Sequence, residues 1–158
     1  MKQHALLSTL LGAALVPVAA ALAPLPETPL AFSLTKPAIA ASPLSKSLQG
    51  KPVLVEVYAT WCSACQNIKP VMNSLRQKEG NSVHWVRFDV SNPTTAKQSA
   101  TRAEKLGLSQ FFKSNRSQTS LVSIINPETG AAVNTFRAQT KIDPYLKAIK
   151  TTRAMLNR

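Results

Sequence analysis

Residues 51–59, KPVLVEVYA, form an almost unbroken apolar run rich in β-branched side chains, with one acid, Glu56, in its middle. A strand of that composition cannot leave one face in water. It needs cover on both faces, the situation of an inner strand in a sheet that contains parallel pairs. The pattern then changes period: from Cys62 to about Lys78, Ile68, Val71, Met72 and Leu75 recur three and four apart, as on one face of a helix. Pro70 lies inside that helix and predicts a kink. Residues 82–90, SVHWVRFDV, alternate as a second strand, which Asn92-Pro93 terminates. Strand, helix and strand in succession make a βαβ unit and direct the chain to the α/β class.

Thr94 to Leu106 reads as a second helix. Residues 107–118, GLSQFFKSNRSQ, are polar and lack a period, so they read as irregular; Phe111 and Phe112 within them are expected in the core. Leu121 to Ile125 and Ala132 to Phe136 flank a turn at residues 126–130 and make a hairpin. Asp143 is expected to cap a last helix, with Pro144 at its first position and Tyr145, Leu146, Ile149 and Met155 largely on one face. The expected order is βαβαββα: a central mixed β-sheet flanked by helices, occupying residues 44–158.

Two segments of different composition precede it. Residues 1–25 carry Lys2 and then no charge from Ala5 to Leu25, which fits a signal peptide or a membrane anchor. Small-residue cleavage patterns occur at Ala21-Leu22-Ala23 and Ala38-Ile39-Ala40, while the uncharged run approaches the roughly 20 residues that cross a bilayer. Residues 26–43 are rich in Pro and Ala and read as a linker. Under either reading the domain lies outside the cytosol, where dithiols can be oxidised.

The chain has two cysteines, Cys62 and Cys65, in the pentapeptide WCSAC. Random placement would give that spacing about one time in a hundred. Cys62 falls where strand gives way to helix, so free backbone N–H groups and the positive end of the helix dipole favour its thiolate, the attacking species in disulfide exchange. Cys65, one turn on, is placed to resolve a mixed disulfide. The competing reading is a structural disulfide, but a loop this short stabilises little by closure.

The stretch VLVEVYATWCSACQNIKP resembles the active-site segment of thioredoxin-like proteins, especially exported or membrane-anchored domains of cyanobacterial and thylakoid type: Trp61, Cys62, Cys65 and Pro70 match. The resemblance implies a thioredoxin-like fold and a thiol–disulfide oxidoreductase with a redox-active disulfide between Cys62 and Cys65, needing no cofactor. It implies exported partner proteins with thiols or disulfides, a transmembrane thiol carrier as a further candidate partner, and a periplasmic or thylakoid-lumen location. An uncleaved N-terminal segment would add the membrane. Glu56 stands where relatives carry a buried carboxylate, which, if unpaired, holds its proton to higher pH and can accept the proton of Cys65 through a water. Trp61 is expected to support the substrate-binding surface.

One family feature is missing. A cis-proline normally faces the cysteines; here Ser120 occupies that place, preceded by Thr119, and these two are the expected substrate-binding residues of the loop. A non-proline cis bond costs about 3 kcal/mol, so a trans or rearranged loop is expected. The space left beside the sulfurs also admits an alternative function, a metal-binding chaperone or assembly factor using the two thiolates for a soft ion. Two thiolates alone make a poor zinc site. His84 is expected as a strand residue without a ligand role, and His4 belongs to the leader.

Net charge is +12, from 19 Lys and Arg against 7 Asp and Glu. The basic residues are scattered and few aromatics accompany them, which disfavours nucleic acid and suits a solvated surface or acidic partners.

Overall fold

The computed structural model describes residues 42–158. Strand β1 (Val53–Tyr58) pairs in parallel with β2 (His84–Asp89) and antiparallel with β3 (Leu121–Ile125); β4 (Ala132–Arg137) closes the other edge, giving the order β2-β1-β3-β4. The mixed sheet is that of the expected thioredoxin-like α/β fold. Helix α1 (Ser63–Glu79) and α4 (Asp143–Leu156) cover one face, burying Leu54, Ile68, Met72, Leu75, Tyr145 and Ile149 together. Helix α2 (Pro93–Leu106) and a short α3 (Ser109–Asn115) cover the other, where Val53, Val55, Phe88 and Phe112 meet. Double cover is why β1 and β3 are apolar apart from Glu56 and Ser123, each buried aliphatic side chain contributing on the order of 2 kcal/mol.

Among the described residues, no helix is long and apolar enough to cross a membrane. The expected signal peptide or anchor, residues 1–25, and all but the last two residues of the linker lie outside the described residues, as does His4.

Several expectations need correction. Residues 107–118 are not irregular: α3 forms there, so the element order is βαβααββα. Phe112 anchors it, 3 % exposed, with its ring edge-on to Phe88 at 5.1 Å; a helix of seven residues is too short to announce itself by periodicity. Phe111 is half-buried against the same cluster. Asp143 does not cap α4. It is the first helical residue, and Ile142 holds the cap position without a side-chain bond. Met155 is exposed rather than packed with Tyr145 and Ile149. Helix α1 runs unbroken through Pro70.

Gly107 ends α2 at φ 76°, its N–H donating to Ala103 O and Glu104 O. A side chain there would press on the backbone of Leu44 at 3.3 Å, so glycine serves both the left-handed backbone and the close approach of the N-terminal segment. Leu44 is buried and donates its N–H to Pro127 O at 2.8 Å.

Candidate active site

The chain leaves the carboxyl end of β1, turns at Ala59, whose carbonyl accepts from the Cys62 N–H at 3.2 Å, and enters α1 with Cys62 as its N-cap. The Cys62 backbone is extended, at φ −83° and ψ 105°, and its sulfur accepts the Cys65 N–H at 3.1 Å. A cap normally uses a side-chain oxygen; here a sulfur takes the free donor of the first turn. Both residues carry free thiols, Cys62 7 % and Cys65 1 % exposed.

Their environments drive them apart. Burial pushes the Cys62 thiol up, but hydrogen bonds to its sulfur from the Cys65 thiol, the Thr119 side chain and the backbone N–H groups of Cys65 and Ala64 outweigh burial and hold it below its usual value. Cys65 is pushed up to about 11, first by burial, then by the hydrogen bond it donates to Cys62 and by that sulfur's charge; bonds from Ala59 and Ser120 N–H only partly offset these. The pair therefore places its negative charge on the outer sulfur and its proton on the inner one.

Ser120 lies in the loop before β3, buried, with φ 64°. No peptide bond among the described residues is cis. The serine takes a left-handed backbone in a trans loop, and its N–H donates to Val57 O at 2.9 Å. Thr119 lines a groove of about 330 Å³ with Trp61, Val90, Ala96, Arg116 and Ser117. Trp61 is 67 % exposed, its indole N–H donating to Ser91 O at 2.9 Å. A larger hollow of about 570 Å³, reaching from Ser42 past Gly107 and Phe111 to Ala132, is lined by no cysteine, histidine or carboxylate.

Glu56 is buried on the α1 side of the sheet, but it is not unpaired. Arg87 Nε donates to its Oε2 at 2.8 Å and stacks over the Tyr58 ring at 4.7 Å. The register explains the pair, since β1 and β2 set Glu56 directly beside Arg87. Tyr145 lies close beneath; burial, then the Glu56 charge, raises its phenol above the usual range. His84 sits in β2 with Nε2 3.2 Å from Gln49 O. No group of three or more His, Cys, Asp and Glu side chains converges among the described residues, so a metal at the cysteines would have two sulfur donors.

Ser91 and Asp89 are the parts that sequence reasoning missed. The Ser91 hydroxyl accepts the Thr60 N–H at 2.8 Å and its carbonyl holds Trp61, so the loop after β2 braces the segment carrying the cysteines. Asp89 in turn accepts from the Ser91 hydroxyl, from the Ser91 N–H at 2.8 Å and from the Thr95 hydroxyl; burial raises its carboxyl, and these bonds with the Arg87 charge bring it below the usual range. The only available signal was the clustering of Asp, Ser and Asn at the end of a strand.

The family model for thioredoxin matches residues 39–126. The chain belongs to the thioredoxin family. It is 40% identical over 62 residues to the "thiol:disulfide interchange protein TxlA homolog" of a Synechocystis strain, covering 39% of this chain and 34% of that protein. It is 35% identical over 82 residues to "thioredoxin-like protein HCF164, chloroplastic" of Arabidopsis thaliana, covering 50% of this chain and 31% of that one. The chain thus spans about a third of the length of these thioredoxin relatives. Among solved structures, Fasciola hepatica thioredoxin superposes on 67% of this chain and 85% of its own, at 19% identity and a TM-score of 0.47.

Proposed function

We propose that the chain is a thiol–disulfide oxidoreductase that exchanges electrons with disulfides or dithiols of exported proteins. The observation that carries this reading is the division of labour between the sulfurs: a capping Cys62 held below its usual value and a buried Cys65 held at about 11. In the reducing direction the Cys62 thiolate attacks one sulfur of a partner disulfide. A new S–S bond forms, the partner's bond breaks, and its second sulfur leaves as thiolate. Cys65 then loses its proton and attacks Cys62, closing the Cys62–Cys65 disulfide and releasing the first partner sulfur. Two electrons pass to the partner, whose two thiolates take up two protons; the reverse sequence oxidises a dithiol.

Glu56, buried on β1, is the proposed acceptor of the Cys65 proton through a water, acting as a carboxylate paired with Arg87 and not as the unpaired acid expected from the sequence. Trp61 and Thr119 line the groove where a partner's chain would lie, and Ser120 follows Thr119 in the buried loop before β3. The N-terminal sequence supports a periplasmic or lumenal site, soluble or anchored. Reduction of insulin disulfides by the reduced chain tests the reading. Turnover abolished by Cys62→Ser, and stalled at a trapped mixed disulfide by Cys65→Ser, is the expected result; an active Cys62→Ser chain would end it.

A further inference from the structure

The net charge is not spread evenly around the site. Lys97 borders two adjoining hollows, one with Arg102 and Lys105 and the other with Lys113 and Arg116. Arg116 also borders the groove of Trp61 and Thr119 beside Cys62. Shared side chains therefore join three depressions into one track across α2 and α3 that ends at Trp61, the residue before Cys62, and Thr119, whose side chain bonds the Cys62 sulfur. All five cations are exposed, and Glu104 is the one carboxylate lining the three depressions. The ion pairs among the described residues, Glu56 with Arg87 and Glu79 with Arg153, involve none of the five. Asp89, in the hollow on another side of Arg102, already accepts from Ser91 and Thr95.

Like charges left unneutralised along one concave track cost stability through mutual repulsion and concentrate anions in return. The geometry points to a docking surface for an acidic partner protein: a segment rich in Asp and Glu lies along α2 and α3 and brings a neighbouring cysteine to Cys62. This identifies a substrate class and rests on the oxidoreductase reading. A lipid surface fits less well, because the large apolar side chains exposed among the described residues are Trp61 and Met155, and neither lies among the lysines of the track.

Two measurements on the full chain separate the ideas. In the first, Cys62→Ser protein is titrated with a fluorescent peptide rich in Asp and Glu and with its Asn/Gln counterpart, both lacking cysteine. At low salt, roughly 20 mM, the acidic peptide is expected to bind at least about tenfold tighter, an advantage that fades by about 0.3 M salt. Lys97→Glu/Lys105→Glu/Lys113→Glu together should abolish the advantage, whereas Lys147→Glu/Lys150→Glu on α4 should keep it. Equal binding of the two peptides, or a preference that survives the triple reversal, overturns the inference. So does salt-sensitive binding to phosphatidylserine vesicles without binding of the acidic peptide. In the second, the wild-type chain is reacted with acidic and neutral peptide disulfides, and the expected rate ratio follows the binding ratio. Failure to exchange even the neutral disulfide would remove the oxidoreductase reading, while the first measurement still decides the surface.

Discussion

At neutral pH, alkylation should find Cys62 and pass over Cys65. The usual thiol value is 9.0; Cys62 lies below it and Cys65 at about 11, so the gap exceeds roughly two pH units and the thiolate populations differ by more than about 100-fold. Basicity works the other way, since a thiolate loses nucleophilicity by roughly 0.4 to 0.5 log unit for each unit its pKa falls, which returns a little under tenfold. The net preference for Cys62 is therefore about tenfold or more, before the smaller exposure of Cys65 is counted. The assay is a timed pulse of iodoacetamide on the reduced chain from about pH 5 to 10, with fragment-ion mass spectrometry assigning the label within WCSAC. Single labelling should fall on Cys62 and its rate should reach half-maximum below pH 9; double labelling should wait for more alkaline solution. Equal modification of the two sulfurs at pH 7, or a rate that begins to rise only beyond pH 9, would refute the claim that the helix cap and the Cys65 thiol stabilise a Cys62 thiolate.

Restoring the family proline by Ser120→Pro should destabilise the fold by about 3 kcal/mol or more in urea titrations, because proline fixes φ near −65° where Ser120 has 64°, and removes the N–H given to Val57 O. Ser120→Gly should stay within about 1 kcal/mol of the parent, glycine accepting the left-handed backbone freely. Phe112→Ala should cost about 3 to 5 kcal/mol by the same measurement, since it empties the contact with Phe88 that holds α3. Arg153→Ala should cost about 0.5 to 1 kcal/mol at pH 7, modest because Arg153 is 41% exposed beside Glu79. Burial raises the Glu79 carboxyl, but bonds from Ser82 and Arg153 and the Arg153 charge bring it below its usual range. That stabilisation is present above the unfolded pKa near 4.3 and disappears as pH falls through the folded value, so parent and variant should converge in urea midpoints only once the pH is below the lowered Glu79 value.

The cysteine site was readable from the sequence because its causes are local. Three residues of spacing put Cys65 one turn from Cys62, and the change from a strand pattern to a helical one put Cys62 at the cap; neither fact needs a distant partner. Double burial of β1 was readable for a similar reason, since an apolar run without alternation has one explanation in a sheet. Helix α3 was not readable, because its seven residues are held by packing of Phe111 and Phe112 against residues distant in sequence, Phe88 on β2 among them.

Glu56 marks the boundary most clearly. The sequence identified a buried acid, and it is buried; what it could not supply was Arg87, whose approach depends on β1 and β2 pairing in one register. A slip of one residue would turn Arg87 to the opposite face of the sheet and leave the carboxylate alone. The same reasoning covers Ser91, Arg116 and the cationic track, each made by loops or helices that meet only after the sheet has set its order. Residues whose work is done within one helical turn announce themselves in the chain. Those that brace the reactive turn or present charge to a partner come from several strands and helices, and their signal exists only as a register or a shared wall.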